Sequence, residues 1–364
     1  MSEMPPHPHR RPDEGRWPLS PVLLGVRENG ARPASLLLER CFGGDDARWS
    51  DALVTRMRRH IGGCVTAVEA ALRDQLMLSG EEGRALVAAL PEAVGWAALQ
   101  RRPDLLGGRL IAHFRDRAAV SLMTQEELAD GAPGNAEPPE SLFPSALARD
   151  LASLALAERR WCDDRPDEAP MVADLPAEDM EQLVWTVMAL LADAAAPVRA
   201  FPLGDMVRLA DRAGCAVLAR HDEQTAPFVM ASLVAHRLRG TGAGEEHLLW
   251  LGRHRQVLAL LAILADRTGM ENAALVGRIV EGPEHLLFQI CRAADFPREV
   301  AVRLMLGRRG IARGVEDSVL IEYAEGYDRM SREQAALAVA PLGLSLRFRE
   351  KLSALRNRPP GDDC

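Results

Sequence analysis

Val257-Leu258-Ala259-Leu260-Leu261-Ala262-Ile263-Leu264-Ala265 is the stretch whose reading decides the fold. Apolar residues crowd it so densely that little polar face remains, which marks a helix buried on most sides. The run closes at Arg267 and Gly269, a basic last turn followed by a residue suited to a left-handed stop. Three further helices are predicted beyond it, over Glu271 to Val280, Pro283 to Ala294 and Pro297 to Leu306. Pro283 and Pro297 fall at helix starts, where the first amides have no partner to lose.

These segments resemble one another. A shift of about 26 residues, within the period range of helical repeats, pairs Leu260 with Leu286, Leu261 with Leu287 and Leu264 with Ile290. The same shift pairs Ala265 with Cys291, Met270 with Phe296, Ala274 with Val300 and Ile279 with Met305. Upstream, Leu209-Ala-Asp-Arg-Ala-Gly214 echoes Leu264-Ala-Asp-Arg-Thr-Gly269. The expectation is an all-α chain of degenerate, HEAT-like helix pairs stacked on one another.

Composition agrees with helices. Hydrophobic residues make up 48% of the 364, enough for a sizeable core, while aromatics are only 4%. Alternating Val/Ile/Thr/Tyr segments are missing, so a substantial sheet is not expected. The net charge of −8 argues against nucleic acid as a partner, because phosphate binding needs a basic surface. Lys351 is the sole lysine, so there is no Gly-rich phosphate loop ending in Lys and no candidate for a Schiff base. Met1 to Arg16 lacks an apolar signal core, and the longest apolar run falls well short of the roughly 18 residues of a membrane span. Cys41, Cys64, Cys162, Cys215, Cys291 and Cys364 are scattered without paired spacing, as in a cytoplasmic protein with reduced thiols.

The chain divides into a disordered arm (1–17), an N-terminal helical block (18–162), an acidic, Pro-rich flexible link (163–178), a C-terminal repeat block (179–356) and a tail (357–364). Leu53, Met57, Ile61, Val65, Val68, Leu72 and Leu76 form one stripe of a long helix, interrupted at Gly62-Gly63. Ser79 with Glu82, Thr124 with Glu127 and Ser331 with Gln334 have the spacing of capping boxes. Pro91 should bend or restart the helix marked by Leu86 and Leu90, Asp130 to Glu140 reads as a loop, and Leu342 to Leu355 as a last amphipathic segment.

Several motifs invite chemistry and fall short of it. Gly240-Thr-Gly-Ala-Gly244 lacks both a preceding strand and the third glycine of a dinucleotide loop, since Glu245 stands there. His60 and Cys64 lie one turn apart, but no second metal-spaced pair accompanies them, and Cys64 adjoins the apolar stripe. His247, His254 and His285 with Glu245, Glu246, Glu281 and Glu284 could form a carboxylate-histidine site, although the Glu-x-x-His spacing of di-metal bundles is absent. Trp161-Cys162-Asp163-Asp164 places acids beside a thiol, which should raise its pKa. The candidate binding residues are Arg308, Arg309 and Arg313, gathered in the glycine-framed turn Gly307-Arg-Arg-Gly-Ile-Ala-Arg-Gly314. Such a turn could fork a carboxylate or phosphate; otherwise it is a solvated turn beside a helix C-terminus.

Leu258 to Ala265, Val276 to Val280, and Leu287-Phe-Gln-Ile-Cys-Arg-Ala-Ala294 followed by Phe296-Pro297 resemble a bacterial family catalogued as a domain of unknown function. The resemblance spans about Leu203 to Leu306 and implies a helical, HEAT-like fold. It carries over no functional residue, because that family has no established activity. The expected function is a non-catalytic cytoplasmic scaffold or regulatory protein-interaction module without cofactor or metal, binding a protein partner along a groove of stacked helices. The alternative is an enzyme with a His/Glu site between helices, with or without a metal.

Overall fold

The computed structural model describes residues 49–129, 138–196, 203–311 and 317–344, with Phe348 and Lys351. The expected arm, most of the Asp130–Glu140 loop, the tail and most of Leu342–Leu355 lie outside these residues. Within them are fifteen α-helices and no β-strand. The first seven are α1 (Asp51–Leu78), α2 (Glu81–Ala89), α3 (Gly95–Arg101), α4 (Gly108–Ala129), α5 (Ser145–Trp161), α6 (Ala177–Ala195) and α7 (Leu203–Leu218). Next come α8 (Pro227–Gly240), α9 (Glu245–Arg253), α10 (Val257–Thr268), α11 (Asn272–Glu281) and α12 (His285–Ala293). The last are α13 (Arg298–Arg308), α14 (Asp317–Gly326) and α15 (Arg332–Val339). None of the described helices is long and apolar enough to cross a membrane.

The apolar run is α10, and every residue from Val257 to Ala265 is buried. It packs against α4, α5, α8, α9, α11 and α12, which leaves no side free for polar residues. The second hub is α4, which touches α1, α5, α6, α10, α11 and α13. Helix α1 in turn packs against α6 and α7, so helices from before and after the expected link share one contiguous core.

The expected link, 163–178, is a packed strap across α1. Met171 N–H donates to Gly63 O at 2.9 Å, and Arg59 Nη1 donates to Ala169 O at 2.7 Å. Leu175 and Asp174 are buried. The strap explains Gly62 and Gly63, which do not interrupt α1. A Cβ on Gly62 would lie 2.5 Å from Asp167 O, and one on Gly63 would lie 2.7 Å from the Met171 Cβ. Side chains there would push the strap off the helix.

Beneath the strap lies a polar network that the sequence reading passed over. Arg117, wholly buried on α4, pairs with Asp174 at 2.7 Å. Trp161 Nε1 donates to the same carboxylate at 3.2 Å. The Trp161 carbonyl, left without a partner at the end of α5, accepts from His60 Nε2 at 2.8 Å, Ser121 Oγ at 2.7 Å and Arg56 Nη1 at 3.3 Å. A second buried cluster joins Arg115 of α4 to Asp116 and to Glu281 at the end of α11. Burial and the neighbouring Arg117 hold His60 well below the usual histidine pKa, so it is a neutral donor in the core.

One of the three expected capping boxes is present: Ser331 Oγ accepts from Gln334 N at 3.1 Å, and Gln334 Oε1 accepts from Ser331 N at 3.3 Å. The other two are corrected. Ser79 ends α1 and its hydroxyl donates to Gln75 O, while α2 begins without a side-chain cap. Thr124 lies inside α4 and donates to Val120 O and to Glu158. Pro91 falls in the break between α2 and α3 as expected, and Pro297 is the N-cap of α13.

Candidate binding site

Four helices stop in the same way. At the ends of α8, α9, α10 and α12 the chain enters the left-handed region at Gly242 (φ 70°), Arg255 (59°), Gly269 (67°) and Asp295 (57°). Each turn is closed by paired backbone bonds. Ala243 N donates to Leu238 O, Gln256 N to Leu251 O, Met270 N to Ala265 O and Phe296 N to Cys291 O. The left-handed residues themselves donate to Arg239 O, Gly252 O, Asp266 O and Arg292 O. This is the Schellman arrangement, which favours glycine because a Cβ in this conformation costs about 1–2 kcal/mol, less for Asp than for Arg. Two of the four positions nevertheless carry charged side chains, and each of those lines a recess.

Asp295 lines the larger one, a groove of about 650 Å³. Its walls are the start of α9 (Gly244, Glu245, Leu248), the end of α10 (Arg267), the α12–α13 turn (Arg292 to Arg298) and the α14–α15 turn (Tyr327, Asp328, Arg332). Four arginines, Arg267, Arg292, Arg298 and Arg332, face three carboxylates, Glu245, Asp295 and Asp328, in a chain whose net charge is −8.

The two outer arginines are ion-paired, Arg298 with Asp328 at 3.3 Å and Arg332 with Asp295 at 3.3 Å, and all four side chains are exposed. The two inner ones are held by main-chain carbonyls. Arg267 Nη1 donates to Ala294 O at 3.0 Å and Nη2 to Ala243 O at 3.2 Å, with its guanidinium 5.6 Å from the Phe296 ring centre. Arg292 Nε donates to Met330 O at 2.7 Å and stacks 5.7 Å over Tyr327. Burial lowers the Arg267 pKa without making a guanidinium titratable near neutrality. Tyr327 Oη donates to Phe296 O at 2.7 Å and ties the two sides of the groove together. Carbonyl partners fix these guanidinium groups without a direct carboxylate contact among the described residues, so the groove is preorganised for anionic groups.

Arg255 lines the smaller recess with Thr124, Ala155, Glu158, Arg159, His254 and Gln256. Its space of about 10 Å³ is that of a single water molecule. Glu158 is buried on α5, accepts from Thr124 Oγ1 and from Leu258 N at 3.3 Å, and burial pushes its carboxyl up to about 7. His254 Nδ1 donates to Trp250 O at 2.8 Å and its ring stacks on Trp250 at 4.0 Å. A raised carboxyl near a histidine is the best material here for acid-base chemistry, but the recess has no room for an organic substrate.

The expected arginine turn is placed elsewhere. Arg308 is only 3% exposed and points inward. Its Nε donates to Ile279 O at 2.9 Å and its Nη2 to Gly282 O at 2.7 Å, so it caps the carbonyl end of α11 rather than presenting a fork to solvent. Gly307 gives α13 close contact with Met123, and Ser50 Oγ bonds Gly310 O at 2.5 Å, which ties the turn to the start of α1. Arg309 is exposed, and Arg313 lies outside the described residues. At 1.5 Å per residue this end of α13 is about 15 Å from the groove at its other end.

Other expected candidates resolve individually. His60 and Cys64 are core residues. His247 Nε2 donates to Leu142 O at 3.0 Å, and His285 sits beside Tyr323. Cys162 closes α5, and burial pushes its thiol to about 12. Gly240 to Gly244 form the α8–α9 turn. No three His, Cys, Asp or Glu side chains among the described residues gather as metal ligands. The sequence reading missed the groove because its walls come from four separate places in the chain. The signal it did contain is the register that sets Asp295 opposite Gly269. Comparison with protein-family models, with curated proteins and with solved structures finds no match in any of the three.

Proposed function

We propose that the chain is a non-catalytic protein-interaction module that holds an acidic segment of a partner in the groove between α9, α10, α12, α13 and the α14–α15 turn. One observation carries this reading. Arg267 and Arg292 are held on carbonyl oxygens in the groove, and among the described residues neither forms a salt bridge. The buried rings of Phe296 and Tyr327 lie beneath the guanidinium groups and help to hold them in place. Carboxylates spaced along an extended partner segment match such a row of planar donors.

The scaffold reading extends to helix-pair repeats. Gly269 and Asp295 occupy equivalent left-handed stops at the ends of α10 and α12, with the same backbone bonds. That equivalence supports α10–α11 and α12–α13 as degenerate copies whose turns build one edge of the groove.

Anisotropy of a fluorescent Glu-rich peptide, against an Arg-rich peptide of equal length, tests the reading. The acidic peptide should bind, and more tightly at low salt. Preference for the Arg-rich peptide, or no binding of either, opposes it.

A further inference from the structure

Arg255 combines three features that rarely coincide. It occupies a left-handed position that its side chain disfavours. It is only 6% exposed. Its Nε and Nη1 have no acceptor among the described residues, and the adjacent Gln256 Oε1 is likewise buried without a partner. A guanidinium largely withdrawn from water with two of its three nitrogens unmatched is a costly arrangement unless something supplies both acceptor and charge. The recess in front of it is of single-water size and is bounded by Thr124, Glu158, Arg159 and His254.

We propose that the turn between α9 and α10 binds one small monovalent anion of halide size, gripped by the Arg255 guanidinium. A water molecule could accept the hydrogen bonds but would leave the buried charge uncompensated, whereas an anion answers both needs. The available space excludes phosphate, sulfate and organic acids. Turned over, the Gln256 amide presents its NH₂ group to the same anion, an orientation that heavy-atom positions alone do not fix. The Glu158 carboxyl on the recess wall is pushed towards its neutral form by burial, which reduces its repulsion of an anion. This site is separate from the groove and independent of what the groove binds.

Bromide tests the assignment in two ways. Crystals of the full chain grown in sodium bromide should show an anomalous peak within hydrogen-bonding distance of the Arg255 guanidinium. Thermal unfolding in sodium bromide, against sodium gluconate at equal ionic strength, should show a saturable rise in midpoint, because gluconate is too large to enter. Arg255→Gly should abolish that rise, while its midpoint in gluconate is no lower than that of the wild type, since glycine relieves the left-handed strain. A peak absent from the recess, or occupied by water alone, would overturn the proposal. So would a bromide effect of equal size in Arg255→Gly. Should that variant fail to fold, the crystallographic result decides alone.

Discussion

The amide of Met171 donates to the carbonyl of Gly63 at 2.9 Å, which fastens the Pro-rich strap to the middle of α1. A mid-helix carbonyl has a second lone pair for such a bond, and the absent side chain lets the strap approach. Gly62→Ala measures how tightly that fit is made. Helix propensity alone favours alanine by about 1 kcal/mol. The new Cβ would lie 2.5 Å from Asp167 O, however, a backbone atom that cannot swing aside. The steric term should win, with a net loss of roughly 1–3 kcal/mol in urea denaturation. Increased stability would show that the strap yields freely.

Asp174→Ala should be more damaging. It leaves Arg117 charged and fully buried without its carboxylate, and removes the acceptor for Trp161 Nε1. Breaking one side of such a pair costs about 3–5 kcal/mol. Removing both charges in Arg117→Met/Asp174→Leu should recover much of that loss. A double variant no more stable than the single one would contradict the electrostatic origin.

Glu158 sets a pH dependence whose sign follows from burial. Its folded pKa, raised to about 7, lies above the ordinary value of 4.5. Below the ordinary value both states are protonated and no penalty arises. As pH rises towards 7 the unfolded chain gives up this proton first, so stability falls across that window and levels off above it. The difference corresponds to roughly 3 kcal/mol at most. Glu158→Gln should flatten the decline between pH 5 and pH 8. Parallel curves for variant and wild type would rule out Glu158 as its source.

The helix stops make opposite predictions at equivalent positions. Gly269→Ala forces a Cβ into the left-handed region and should cost about 1–2 kcal/mol. Asp295→Gly relieves that strain and gives up one exposed pair with Arg332, worth about 0–1 kcal/mol. Its stability should be unchanged or slightly higher, and acidic peptides should bind more tightly once the carboxylate is gone. Weaker peptide binding would mean that Asp295 serves the ligand directly.

Much of the fold was readable from residues. The density of Val257 to Ala265 identified a buried hub, Pro297 marked a helix start and Ser331 with Gln334 marked a cap. The strap was not readable, because Pro and acidic residues look the same in a linker and in an extended segment lying across a helix. Gly62-Gly63 held the missing information, but a glycine pair suggests a break until its neighbour is known. Thr124 and Glu127 imitate a capping box because that spacing is also one helical turn. The Arg turn was legible only in part, for a related reason. Local sequence shows three cations near a helix end but not that Arg308 turns inward to cap α11. The groove was the least legible, since neither Arg267 nor Arg332 means much without the other.

The measurement that tests the central claim most directly is the affinity of a Glu-rich peptide for the wild type and for Arg298→Ala/Arg332→Ala, across a salt series. Both side chains are exposed at the groove rim, so the double variant should fold with a loss of no more than about 1 kcal/mol per pair. Binding should weaken by about tenfold or more, which corresponds to 1.4 kcal/mol or more, and its salt dependence should flatten. Equal affinity and equal salt dependence in the two proteins would contradict the groove as the binding surface.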